Sequence, residues 1–272
     1  MNVGAAGAIA ARMLRRSDPY VFVDGAWLRA EAQSLMKRYF EVDELPHDWF
    51  APFNASEKTF YFDALPGIKP DQTQESFAAV AAAKQFELDY INSLPNVHVR
   101  SGVSFHRRRR GMEQKGVDIL LAIQALTTAY RGTSSNMMLV LGDLDFAPLV
   151  EELVAIGVSV KLLHSHATNA ELVRAADTAG KLTVHDFQPL VTKLGFALPQ
   201  QVASGERWND DEGEVYGSEH HTPDASVRIM ERDGQWQSTL YSGDSAHVVM
   251  RSPKRSSLIA YMQDFYQLQS PS

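Results

Sequence analysis

The sequence predicts an α/β fold: a three-layer sandwich with a central, mainly parallel sheet between helices, plus a small C-terminal α+β appendage. Three observations predict it. Strand-like and helix-like stretches alternate from residue 20 to residue 187, which is the order that winds a parallel sheet between helices. The middle strands, such as "MMLVL", are apolar throughout rather than alternating, as strands covered on both faces are. Beyond residue 225 short alternating runs are separated by Asp233-Gly234 and Ser242-Gly243, the punctuation of antiparallel hairpins.

Taken in order, "YVFVD" (20 to 24) is a β-branched and aromatic strand, and a helical pattern follows from Trp27 to Phe40. "KTFYFDAL" (58 to 65) is the second strand. Pro66, Gly67 and Pro70 then break the chain before a long alanine-rich helix, 73 to 94, with Thr73 and Ser76 as caps. "NVHVRSGVSF" (96 to 105) alternates as a strand. A helix from Val117 to Tyr130 carries Ile119, Ile123, Leu126 and Tyr130 on one face. The strand "MMLVL", a helix from Phe146 to Ile156, the strand "VSVKLL", a short helix at 170 to 176 and a strand "LTVHDF" (182 to 187) complete the alternation. "FQPLVTKLGFAL" reads as a last helix.

Length and composition bound the rest. A chain of 272 residues has room for one main domain and a small second unit, since domains run to roughly 100–200 residues. The expected boundaries are a flexible leader at 1–18, the main domain at 19–195, an acidic linker at 196–225 and a small unit at 226–272. The leader, with Arg12, Arg15 and Arg16 and no acid before Asp18, loosely resembles a presequence and reads better as a disordered segment. No apolar run reaches the ~18 residues that a membrane helix needs, so a water-soluble, cytoplasmic protein is expected. There is no cysteine, which excludes disulfides, thiol catalysis and cysteine-bound zinc. The net charge of −7 argues against indiscriminate nucleic-acid binding.

In a parallel sheet, ligands bind beyond the carboxyl ends of the strands. Asp24 closes the first strand, Asp63 the second, and Asp143 follows "MMLVL", so three acids fall at that edge. Asp118 and Asp145 stand at the first turns of the adjacent helices. Carboxylates gathered together raise one another's pKa and destabilise the fold unless a cation lies among them. Mg²⁺ and Mn²⁺ take such oxygen ligands, and they serve phosphodiester hydrolysis. Any one of these aspartates alone is as well explained as a helix cap, and Asp145, just before "FAPLVEEL", is the expected cap. Arg107, Arg108, Arg109 and Arg110, with Lys115, offer phosphate contacts, or else form a solvated loop. Trp27 reads as packing rather than as a base-stacking platform.

"YVFVDGAWL", "FYFDALPG", "EQKGVDILLAIQAL", "LVLGDLDFAPLVEELVAIGVSVKLL" and "ELVRAADTAGKLTVHDF" resemble, in order and spacing, the NYN domain, a branch of the PIN-like nuclease superfamily. The resemblance runs from Tyr20 to Phe187. It implies a PIN-like sandwich and a nuclease, dependent on Mg²⁺ or Mn²⁺, acting chiefly on RNA, with single-stranded DNA a further substrate to test. Carried over by position, the catalytic and metal-holding residues are Asp24, Asp118, Asp143 and Asp145. Three positions depart from the family pattern. Trp27 stands where many members have asparagine, Leu144 where a small residue is usual, and Gln124 where a further acid often stands.

Two classes of function follow. One is a metal-dependent endoribonuclease-type hydrolase; the other is a NYN domain with little turnover that serves as an RNA-binding or protein-interaction module. The four retained acids favour the enzyme, because a binding module gains nothing from uncompensated negative charge near phosphate. A protein partner for the C-terminal unit and self-association both stay open.

Overall fold

The computed structural model describes residues 19–51, 58–68, 72–107, 111–218, 225–243 and 245–269. The expected leader at 1–18 and the arginines at 108–110 lie outside them. The chain divides into two units. The first takes the chain up to Ala32 and again Leu45–Asp186; the second takes Gln33–Glu44 and the chain from Phe187.

The first unit is built on seven strands: β1 (Tyr20–Asp24), β2 (Lys58–Leu65), β3 (Val97–Arg107), β4 (Gly111–Lys115), β5 (Asn136–Val140), β6 (Ser159–His164) and β7 (Thr178–Lys181). Its helices are α1 (Gly25–Phe40), which crosses the unit boundary, α2 (Gln74–Ser93), α3 (Val117–Tyr130), α4 (Ala147–Ala155) and α5 (Ala170–Ala175). The strand order is β4-β3-β2-β1-β5-β6-β7. All neighbours are parallel except β3 and β4. The predicted α/β class is therefore the observed one, with one antiparallel strand at the edge.

This order decides where a site can form. From β1 the chain builds outward through β2 and β3 on one side, then returns through α3 to lay β5 on the other side of β1. The connections leaving β1 and β5 diverge, and a crevice opens beyond their carboxyl ends. Parallel pairing of Val23 with Val140 sets Asp24 one residue past that level and Asp143 three past it. Beneath the crevice, Phe22, Phe62, Leu121, Leu139, Val150 and Leu162 are buried in one apolar cluster, so the polar edge rests on a packed core.

Several expectations need correction. The strand predicted at 182–187 is instead β7 at 178–181, followed by a 3₁₀ turn at Val184–Phe187. Pairing with β6 selected a polar "TAGK" over the more β-like "LTVHDF", a tertiary override of propensity. The polar strand β4 was missed for the same reason: β3 supplies its hydrogen-bonding edge. On α3 the buried residues are Val117, Leu121, Ala125 and Thr128. Of the apolar face read from the sequence, Ile119, Ile123 and Tyr130 are exposed, and Leu126 alone packs against the core.

The second unit is a five-stranded antiparallel sheet with one helix on it. Its strands are β8 (Gln200–Val202), β9 (Glu214–Gly217), β10 (Ala225–Arg232), β11 (Gln235–Ser242) and β12 (Ser245–Ser252), in the order β8-β12-β11-β10-β9. After a short helix α6 (Gln188–Lys193), α7 (Arg255–Tyr266) closes the chain. Val227, Ile229, Leu240 and Met250 alternate toward α7 and meet Leu258 and Met262 in a separate core. The stretch 196–225, read as a linker, thus carries two strands of this sheet. They escaped notice because β8 and β9 are polar edge strands whose partners lie later in the chain. The residues 33–44 that belong to this unit are tied to it as well: the Tyr39 hydroxyl donates to Asp264 at 2.7 Å, and Lys254 pairs with Glu41 at 2.7 Å.

Candidate active site at the carboxyl edge of the sheet

Asp24 ends β1, and its Oδ1 accepts the backbone N–H of Trp27 at 3.1 Å, so it caps α1. Asp143 follows β5, and its Oδ1 accepts the backbone N–H of Asp145 at 3.1 Å. Asp143, not Asp145 as expected, is therefore the cap of the turn Leu144–Phe146. Each cap uses one carboxylate oxygen, and a carboxylate has two. Asp118 sits in the first turn of α3, behind Gly116, whose φ of 88° is one that glycine adopts without strain. That residue lets the chain leave β4 and start the helix within two positions.

Electrostatic coupling links Asp24 with Asp118 and Asp143, and Asp118 with Asp143 and Asp145. Burial pushes the Asp24 carboxyl up to about 6 from 3.8; the Trp27 N–H opposes the shift, and Asp118, Asp63 and Asp143 add to it. The Asp118 carboxyl is also raised, first by burial and then by Asp143 and Asp145. Asp24 and Asp118 thus each lie in the field of carboxylates that sequence places far away. Among the described residues, no group of three or more carboxylates or imidazoles is drawn in tightly enough to form a ready metal cage. The donor set still suits a hard cation that keeps most of its water, since Mg²⁺ is commonly held by only one or two carboxylates.

The remaining strand-end acid of the sequence reading, Asp63, has another role. It is buried inside β2, where it accepts from the Ala64 N–H at 2.7 Å and pairs with Lys84 of α2 at 2.7 Å. Lys84 also pairs with Glu87 at 2.8 Å, and Arg29 of α1 reaches Glu87 at 2.9 Å. The Tyr61 hydroxyl, fully buried, lies 3.3 Å from the Gly25 carbonyl and 3.4 Å from Asp63. Sequence reasoning missed this network. Its signal was Lys84 itself, standing at i, i+4 and i+7 with Leu88 and Ile91 on the face of α2 that turned out to be buried.

The three departures from the family pattern now have physical accounts. A Cβ on Gly142 would collide with the Trp27 indole nitrogen, so Trp27 lies close against the residue that precedes Asp143. Leu144 packs against the main apolar cluster and anchors the turn between two outward aspartates. Gln124 lies 3.5 Å from Thr128 along its own helix. A test of the Trp27 contact is Gly142→Ala, which should lower the melting temperature by several degrees; combining it with Trp27→Asn should restore most of the loss. Scanning fluorimetry of the three proteins checks this, and an unperturbed single variant would refute the contact.

Of the basic residues, Arg107 ends β3 and Lys115 ends β4 on opposite strands of one hairpin, and Arg108, Arg109 and Arg110 lie outside the described residues.

A mainly parallel sheet between helices, with aspartates gathered at its switch point, is the architecture of a PIN-like nuclease fold. The family model of the NYN domain matches residues 20–183, and the chain belongs to that family. No curated protein matches the chain. Among solved structures, a protein of unknown function from Vibrio parahaemolyticus is similar at 16% identity, covering 61% of this chain and 93% of its own, with a TM-score of 0.39. That likeness is too distant to carry an argument. No helix among the described residues is long and apolar enough to cross a membrane.

Proposed function

We infer that the protein is a divalent-metal-dependent ribonuclease that hydrolyses phosphodiester bonds at Asp24, Asp118, Asp143 and Asp145. The observation that carries the reading is the placement of Asp24 and Asp143 at the carboxyl ends of β1 and β5, each with one carboxylate oxygen on a backbone N–H, with the Asp24 carboxyl raised to about 6, first by burial and then by Asp118, Asp63 and Asp143. A fold keeps carboxylates buried and crowded in this way when something positive is meant to enter among them. The four aspartates would hold Mg²⁺ or Mn²⁺, which when bound supplies the charge that activates water and stabilises the leaving oxygen. The protein's own part is positional. Trp27 N–H and Asp145 N–H fix the rotamers of Asp24 and Asp143, and Leu144 pins the turn from below. The NYN match supports RNA as the substrate class. The basic residues Arg107 to Arg110 and Lys115 are proposed to meet its phosphates.

The test is cleavage of labelled RNA and single-stranded DNA by the full chain in Mg²⁺, in Mn²⁺ and in chelator, beside Asp143→Asn. Cleavage of RNA that needs the metal and drops at least ~100-fold in the variant is expected, in the range for loss of an electrostatic catalytic group. Tight RNA binding with no cleavage under any condition would instead establish the binding-module reading.

A further inference from the structure

The outward face of α3 is unusually apolar: Ile119 is 64%, Ile123 55% and Tyr130 67% exposed. On one side it descends into a groove of about 490 Å³ between α3 and α4, within the ~300–1,000 Å³ range of small-ligand sites. Asp118 and Asp145 line this groove together with Ala122, Leu126, Leu149 and Glu152. Two of the proposed metal-holding acids therefore belong to the groove wall, and the groove is continuous with the acid cluster. Glu152 stands seven residues beyond Asp145, roughly 10 Å along the chain at ~1.5 Å per helical residue. It accepts a hydrogen bond from the Tyr130 hydroxyl at 2.6 Å, which orients its carboxylate.

We propose that this groove receives one unpaired nucleobase beside the phosphate at the aspartates, and that Glu152 makes guanine the preferred base. The proposal rests on the nuclease reading for the position of the phosphate; the groove's own chemistry supplies the rest. Its walls are apolar side chains, which suit the faces of a base, and with Asp118 and Asp145 given to the cation its remaining charged residue is the carboxylate of Glu152, which repels a phosphate. The part of a nucleotide that fits is the base, with the backbone outside. A carboxylate only accepts hydrogen bonds. Guanine alone presents two adjacent N–H donors on its pairing edge, which a carboxylate binds with both oxygens. Adenine and cytosine set one amino group beside a lone pair, and uracil sets one N–H between two carbonyls. In a duplex that edge is occupied, so the groove selects single strands, the form in which bases of RNA are ordinarily read.

Undecamers of uridine with one central guanosine, inosine or adenosine provide the test, with the full chain, Glu152→Gln and Ala122→Phe, which fills the groove floor. Binding is followed by anisotropy in Ca²⁺ and cleavage in Mn²⁺. The guanosine oligomer should bind about tenfold more tightly than the inosine one, the size of one charge-assisted hydrogen bond. Glu152→Gln should bring that ratio close to one, and Ala122→Phe should weaken binding of all three. Equal binding of guanosine and inosine oligomers by the unaltered protein, no binding of any, or a ratio indifferent to Glu152→Gln would each overturn the proposal. So would sedimentation showing that Ile123→Asp abolishes self-association that the oligomers do not compete with, since the face would then belong to a second copy. Base-dependent binding without cleavage would leave the groove standing and remove the nuclease. Cleavage without base dependence would do the reverse.

Discussion

Lys84→Met is expected to destabilise the protein by about 3–5 kcal/mol, the cost of stripping one partner from a buried ion pair. The Asp63 and Glu87 side chains are 1% and 6% exposed, and Lys84 bridges them. Without it Arg29 faces Glu87 alone, and Asp63 keeps only hydrogen bonds from the Ala64 N–H and the Tyr61 hydroxyl. For a domain of this size the melting temperature should fall on the order of 10 °C. Adding Asp63→Asn removes the orphaned charge while keeping an acceptor for the Ala64 N–H, and should recover a substantial part of the loss. Thermal melts of the single and double variants decide it; a single variant within a degree of the parent would show that the network contributes nothing net. Because Asp63 also raises the Asp24 carboxyl, this network forms the electrostatic floor of the candidate site.

The second large effect concerns Asp24 and has an unusual sign: Asp24→Asn should stabilise the metal-free protein. The folded carboxyl is raised to about 6 against 3.8. A group raised on folding contributes stability that is fully present below the unfolded value and is lost as pH rises through the folded one. In chelator the variant should therefore match the parent near pH 4, diverge between pH 4 and 6, and exceed it at pH 8 by up to about 3 kcal/mol. Asparagine keeps the oxygen that accepts the Trp27 N–H, so the cap survives. Millimolar Mg²⁺ should raise the melting temperature of the parent and leave the variant almost unmoved, since only a ligand bound to the native state stabilises it. Melts across that pH range check both halves; a variant less stable than the parent at pH 8 in chelator would mean that burial and the neighbouring acids do not raise the Asp24 carboxyl.

How far the sequence could be read depended on whether the deciding interaction was local. The strands from Tyr20 to Asp24, Lys58 to Leu65 and Asn136 to Val140 announce themselves because their runs of apolar residues are buried whichever neighbour they pair with. The aspartates were legible for a related reason: a strand end before a helix is a sequence feature, and the parallel sheet carries all such ends to one edge. What failed was whatever a remote partner decides. Polar "GMEQK" and "TAGK" become strands because β3 and β6 offer open edges. The stripe from Ile119 to Tyr130 has the periodicity of a buried face, yet Val117, Leu121 and Ala125 face the sheet instead. Periodicity marks that a helix has an apolar side without saying which of two apolar sides meets the core.

By itself, then, the sequence determined the α/β class and the NYN resemblance and pointed to four candidate acids, because each is written in short-range pattern. Tertiary structure alone decided that Asp63 is paired with Lys84 while the Asp24 carboxyl is raised, first by burial and then by neighbouring acids. It also opened a groove beside Asp118 and Asp145. The physical reason is the same in both cases. Burial and charge pairing depend on which side chains meet across the fold, and distance along the chain does not encode distance in space.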